Sequence, residues 1–424
     1  MDARANMPAI LRTPHPVTAA PMAGGPSTPE LVAAVVGAGG AAWLAGGMRS
    51  VAQIRAQVNA VRALLAAGGA AESGAGAVRV APDDAAQCFG VNLFVPDVAN
   101  AALTAGDRER LHSAQLRARL EDYRERLHGD AAAVGVALPE VADILPDDDA
   151  EAAAFAAAID AAVEQGWPAI SFTFGLPERA VFARLAAAGI PAGVTVTDAE
   201  QARMAVAAGA VFLTVQSAAA GGHQGSLRPL ESVREVALVD LLAEVRTAVD
   251  VPLVAAGAIA TADDVAAVLD AGAVSAQIGT AFLLTREAGT SPAHREALTQ
   301  ARRGAGFVRA DVQADVRVGV RAGVAAAGTP ATAHPAEPAA HADTALTRAY
   351  TGRWARGLRT RFMDEHADAP SAYPHLNALT GGLRRAAAAA NDLHRVHLWA
   401  GTAAAQTQPE RAADVVQALS PDGT

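Results

Sequence analysis

Eight short apolar runs, each separated from the next by a longer segment, set the narrowest limits on how this chain can fold. They are VTAAPMAG (17–24), AAWLAGG (41–47), FGVNLFV (89–95), AISFTFG (169–175), AGVTVTD (192–198), AVFLTVQ (210–216), VPLVAAG (251–257) and AVSAQIGT (273–280). Continuous apolar runs, as opposed to alternating ones, belong to strands covered on both faces, as parallel strands are. Several of the intervening segments open on Thr, Pro or Asp and close on Gly, the start and stop signals of helices. Examples are TPELVAAVVGAG, PERAVFARLAAAG, DAEQARMAVAAG and TADDVAAVLDAG. About eight strand–helix units in succession predict an α/β fold, a closed (β/α)8 TIM barrel; a doubly wound open sheet is the alternative. The barrel is expected over residues 1–300, with a helical, Arg- and Glu-rich insertion at about 100–165. A low-complexity linker follows at 301–342, and a smaller, mostly helical C-terminal capping region at 343–424. Residues 64–86 form a second low-complexity stretch.

The bulk chemistry removes several function classes. The net charge of −10 and the scattered basic residues argue against nucleic acid or an anionic membrane surface as partner. Every basic residue is arginine, so Schiff-base and lysine-base mechanisms are closed to this chain. The lone Cys88 allows no internal disulfide and reads as a buried structural thiol. The N-terminus lacks the apolar core of a signal peptide, and charged or amide residues interrupt the alanine-rich stretches before a membrane span is reached. A cytoplasmic protein is expected, monomeric or homodimeric. The eleven histidines form no HExxH, and neither a phosphate-binding P-loop nor GxSxG is present. The acids at 147–149 and 263–264 read as loop or helix-start charge, so neither a metal site nor a glycosidase pair is expected.

In a barrel of this kind the chemistry sits at the C-terminal ends of the strands. The first run ends Pro21-Met22-Ala23-Gly24-Gly25, either a tight turn or a place where a planar ligand meets the backbone closely. Asn92 interrupts an apolar run; it either satisfies neighbouring backbone groups or points into the barrel mouth. After Gln216 comes SAAAGGHQGS, in which Gly221, Gly222 and Gly225 surround His223. A lone histidine is more often structural, but one in a glycine loop just past a strand end is placed for proton exchange. The last two runs end in Gly257-Ala258 and in Gln277-Ile278-Gly279-Thr280. Backbone N–H groups of Gly257, Ala258, Gly279 and Thr280 at these two ends predict a phosphate site, and hence a phosphorylated cofactor.

APMAGGPSTPELVAAVVGAGG, FGVNLFVP, SFTFG, QSAAAGGHQG, VPLVAAGAIA and AQIGTAFL together resemble nitronate monooxygenases, formerly 2-nitropropane dioxygenases, of the class I bacterial type. The resemblance spans about 17–288 and resumes at 344–401 with TALTRAYTGRWARGLRTRF, AYPHLNALT and HRVHLWAG. PMAGG and AGGHxG occur across a wider flavin-barrel group, whereas GVNLFVP and the ARGLRTRF tail favour the nitronate enzymes. The resemblance implies non-covalent FMN and oxidation of alkyl nitronates, such as propionate-3-nitronate, by O2 to a carbonyl compound and nitrite. It implies that Pro21, Met22, Ala23 and Asn92 line the isoalloxazine and ribityl region. Gln216, Gly221 and the adjoining Gly222 would contact the flavin, and Gly257, Ala258 and Gln277–Thr280 the phosphate. His223 would be the catalytic histidine, either as base towards neutral nitroalkanes or as a charge partner for the nitronate. The family usually carries a second glycine where this chain has Ala258, which is tolerable at negative φ. Tyr350 and Arg353 are tail candidates for the pocket. The alternatives are an FMN-dependent NAD(P)H:quinone or enoyl-thioester reductase, and a redox-inactive ligand-binding barrel.

Overall fold

The structure, a computed structural model, describes residues 7–68, 82–145, 147–304 and 343–421. Most of the two low-complexity segments, 69–81 and 305–342, therefore lies outside the described residues. Eleven strands are described: β1 Val17–Ala19, β2 Ala41–Ala45, β3 Phe89–Phe94, β4 Ile170–Thr173, β5 Ala192–Val196, β6 Phe212–Gln216, β7 Gly222–His223, β8 Leu253–Ala256, β9 Ser275–Ile278, β10 Thr344–Thr347 and β11 Ala355–Leu358. Strands β1–β6, β8 and β9 close into a parallel barrel, with β9 pairing back onto β1. Each of the eight runs contains one barrel strand, and the open-sheet alternative does not hold.

Alternation along the strands explains the interior. Val17, Leu44, Val91, Phe172, Val194, Leu213 and Ala255 face outwards into the large core shared with the helices. Residues one step away face inwards. The lower half is plugged by Trp43, Ala169, Phe212 and Val254, closed from below by Ile10 and Leu11 of the turn Ala9–Leu11. Trp43 and Phe212 stack at 6.1 Å, and a side chain at Gly90 or Gly193 would overlap their rings. These glycines make room for the two large residues of the layer. The upper half is polar: Thr18 bonds Ser275 (2.8 Å), and Thr173 bonds Thr195 (3.3 Å).

Thr28, Asp198 and Thr261 cap their helices as the sequence predicts, whereas Arg179–Ala187 opens without a side-chain cap. Thr28 accepts the Leu31 N–H (3.0 Å) to cap Pro29–Gly37, and reciprocal caps open Val51–Ala66 and Ala262–Asp270. The helix Asp148–Gln165 stops at Gly166, whose φ of +56° suits glycine. None of the described helices is long and apolar enough to cross a membrane.

The C-terminal region differs from a purely helical cap. Its strands β10 and β11 form an antiparallel sheet whose third strand is β7, from the loop after β6. Helix Ala412–Leu419 returns to the barrel, placing Val415, Val416 and Leu419 in the main core. The insertion supplies helices Ala105–Leu111, Ala114–Arg126 and His128–Ala133. It joins the tail through a second core containing Leu120, Tyr123, Tyr350 and Phe362. Asp130 ties the two together, accepting from Arg395 (2.7 Å) and sharing a hydrogen bond with His366 (2.9 Å).

Candidate active site

His223 is held at the barrel mouth by pairing, not by its glycines alone. As part of β7 it lies opposite Ala355 of β11, while Gly222, at φ +77°, lies opposite Arg356. Gln216 braces the loop from the end of β6: its Nε2 donates to the His223 carbonyl (3.1 Å), and its Oε1 accepts the Gly225 N–H (2.7 Å). The imidazole Nε2 bonds the Thr351 hydroxyl (2.9 Å), which also donates to the Arg353 carbonyl (3.3 Å). An Nε2–H tautomer satisfies both contacts and leaves the Nδ1 lone pair as the basic site. Rings crowd the imidazole: Trp399 at 5.3 Å, Phe174 at 5.6 Å and Tyr373 at 6.1 Å. Desolvation by these neighbours, and secondarily the charges of Arg353 and Arg384, push its pKa down to about 3. The ring is therefore neutral at physiological pH. A neutral imidazole is the protonation form that the expected base role requires.

Buried Arg353 and half-buried Arg384 stand near it, neither in an ion pair with a carboxylate among the described residues. Arg353 donates to the carbonyls of Gln224 (3.2 Å), Phe174 (3.5 Å) and Ser226, and lies 4.1 Å over the Phe174 ring. Arg384 donates to the Asn377 carbonyl (2.9 Å), Asn377 Oδ1 (2.7 Å) and the Thr380 hydroxyl (3.0 Å). Burial lowers both guanidinium pKa values to about 10, so both stay charged and bias the chamber towards an anion. Arg353 thus belongs to the site. Tyr350 lies one layer behind, its hydroxyl bonded to Thr360 (2.7 Å) and its ring edge-on to Trp399 at 5.7 Å.

The remaining predicted residues ring the same mouth. Asn92 points into the barrel, its Nδ2 donating to Ser171 Oγ (2.8 Å) and Thr173 Oγ1 (2.9 Å), so side chains more than backbone satisfy it. The Pro21–Ala23 turn closes through Ser27, which accepts the Met22 N–H (2.8 Å). It adjoins the β9 end: Ala20 N–H donates to the Ile278 carbonyl (2.8 Å), and a Cβ on Gly279 would sit 3.7 Å from the Met22 sulfur. Gln277 is a partly exposed interior position, whereas the Ile278 side chain packs outwards in the core. Thr280 Oγ1 accepts the Gly401 N–H (3.0 Å), and the backbone at Ala400–Gly401 comes so close to Gly221 that a side chain there would overlap it. Gly257, at φ +127°, is packed so tightly on Ser217 Oγ that a Cβ would overlap that hydroxyl.

Two observations fit a phosphorylated group at this rim. Ser217 Oγ is buried without a hydrogen-bond partner. The N–H groups of Gly257, Ala258, Gly279 and Thr280 have no acceptor among the described residues. Donors on two adjacent strand ends, without a protein acceptor, suit an anion.

Ala258 departs from the negative φ that would make it harmless: its φ is +57°. An L-residue there bears roughly 1–2 kcal/mol of strain that glycine lacks. Ala258→Gly is therefore expected to gain about 1 kcal/mol, net of glycine's greater unfolded-state entropy, and to raise the Tm. An unchanged or lower Tm in differential scanning calorimetry would show that the strain is not released.

Sequence reasoning missed Phe174, Thr351, Tyr373, Arg384 and Trp399. One usable signal was Gly352, at φ +79°, where a side chain would meet the backbone of Ala372–Tyr373. That close approach brings Tyr373 to the site.

The family model for nitronate monooxygenase matches residues 4–335 and 327–422. A probable nitronate monooxygenase of Staphylococcus aureus (strain Newman) is 28% identical over 397 residues, covering 92% of this chain and 89% of that protein. The crystal structure of nitroalkane oxidase from Streptomyces ansochromogenes superposes with a TM-score of 0.72 at 36% identity, covering 96% of this chain and 95% of that one. FabK from Thermotoga maritima shares the fold at 21% identity and a TM-score of 0.58. Since the match takes in the barrel, the histidine loop and the tail strands that hold it, this chain is an oxidoreductase that belongs to the nitronate monooxygenase family.

Proposed function

We propose that this chain uses FMN to oxidise alkyl nitronates, propionate-3-nitronate among them, with O2 to a carbonyl compound and nitrite. Flavin dependence follows from the family; FMN is our reading of the rim, where donors without acceptors converge on a phosphate-sized anion. The observation that carries the reading is a neutral, crowded imidazole at the barrel mouth beside the guanidinium groups of buried Arg353 and half-buried Arg384. When bound, FMN supplies the electron transfer between substrate and O2. Backbone N–H groups of Gly257, Ala258, Gly279 and Thr280 would hold its phosphate, with Gln277 and Ile278 leading into that loop. The Pro21–Ala23 turn, Asn92, Gln216, Gly221 and Gly222 would border its ring and ribityl chain. Arg353 and Arg384 favour the anionic nitronate over its neutral acid through their field. His223 accepts the α-proton when a neutral nitroalkane enters, and Thr351 holds the ring in the tautomer this requires. The surrounding rings exclude water from that proton.

The test is aerobic nitrite release from ethyl nitronate or propionate-3-nitronate by the FMN-loaded protein. Release stoichiometric with carbonyl product is expected. Rapid anaerobic bleaching by NADH with no nitronate turnover would transfer the chain to the reductase class. A protein that stays colourless after FMN addition would remove both assignments.

A further inference from the structure

A cleft of about 340 Å³ runs from the surface to the rings around His223. Its outer lip carries Met48, a large apolar side chain left 66% exposed. Its inner end is formed by Phe174, Arg353 and Tyr373, and both aromatic rings lie against His223. None of the residues assigned to the flavin rim lines it. The cleft lies within the ~300–1,000 Å³ of small-molecule sites, much more than a two-carbon nitronate fills.

The cleft is built at some cost to the backbone. Phe174 has φ +77°, a region a bulky residue rarely occupies, and such strain gathers at functional sites. The conformation is fixed by contacts on several sides: Phe94 at 4.3 Å, Tyr373 at 5.4 Å and the Arg353 guanidinium. Gly47 lets the Phe94 ring lie directly on the backbone, because a side chain there would overlap it. The walls are mainly apolar, and the charged side chains among them balance in number, Arg49 and Arg353 against Asp97 and Glu151. Neither an anionic nor a cationic tail is favoured over an uncharged one.

We propose that this cleft is the subsite for the uncharged alkyl tail of a medium-chain nitronate whose reacting carbon lies at His223. The inference rests on the nitronate reading above and adds the substrate's length and polarity. Phe174 and Tyr373 then act as the threshold between chamber and tail site.

The experiment measures kcat and KM for ethyl, butyl and hexyl nitronates with the FMN-loaded protein and with Ala154→Trp. Ala154 lines the cleft from an exposed position on the helix Asp148–Gln165, away from His223. Each methylene buried contributes up to about fourfold. From ethyl to hexyl, kcat/KM is expected to rise at least about tenfold, mainly through KM. Ala154→Trp is expected to abolish that gain while leaving ethyl nitronate kinetics and the Tm unchanged. Val51→Phe, at another lining position, serves as the second variant should Ala154→Trp lower the Tm. A flat or falling series overturns the inference while leaving the nitronate reading intact, and so does an equal loss for all three substrates in correctly folded variants. No turnover of any nitronate overturns both.

Discussion

His223→Asn is expected to lower turnover of neutral nitroalkanes by roughly 10²–10⁴-fold, the range for loss of a general base. The amide can still hydrogen-bond Thr351 but cannot take a proton near neutral pH. FMN binding is expected to survive, because the rim at Gly257–Ala258 and Gly279–Thr280 makes no side-chain bond to His223. Preformed nitronates need no deprotonation, so their turnover should fall much less. That asymmetry separates lost base chemistry from a collapsed loop, which would damage both. The measurement is kcat/KM for nitroethane and ethyl nitronate, side by side. An equal loss for the two, or unchanged nitroethane turnover, would remove the base role.

This protein is expected to lose stability steeply as the pH falls below about 6.5. Burial lowers the pKa of His223 to about 3 and those of His294 and His375 to about 4, and holds His397 well below the ordinary value of 6.5. In the unfolded chain all four protonate near 6.5. Between about pH 6.5 and 4 the unfolded state therefore binds more protons, and stability falls as pH falls. His223, His294 and His375 each contribute up to about 1.4 kcal/mol per pH unit, or about 2 kcal/mol by pH 5, and His397 acts in the same direction. The three together reach the lower part of the ~5–15 kcal/mol by which a domain is stable. Asp97 and Glu151 have raised pKa values and offset part of the loss. A Tm that drops steeply below pH 6.5, with uptake of several protons on unfolding, is the expected calorimetric result. A Tm flat from pH 7 to 5 would show that these rings are not held neutral by the fold.

Much of the architecture was legible because it follows local rules. A strand buried on both faces must be apolar throughout, and a helix beginning at Thr28 or Thr261 needs its cap, so both leave marks within a few residues. The glycine-rich ends of β8 and β9 were legible for the same reason: a backbone at φ +127°, as at Gly257, has few residues to choose from. The effect of Ala258 could not be settled in the same way, since its composition is compatible with either sign of φ. Only the closed loop fixes it at +57°.

The sequence by itself determined the barrel, the rim of strand ends and the presence of His223 at the mouth. It did so because periodicity and turn chemistry act over short separations. The tertiary structure alone decided what His223 can do. Its strand β7 exists only by pairing with Ala355–Arg356, more than a hundred residues later. The groups that make it neutral, Trp399, Phe174, Tyr373, Arg353 and Arg384, come from distant parts of the chain. Desolvation and electrostatic potential depend on everything packed within a few ångströms, whatever its position in the chain, so no local pattern records them.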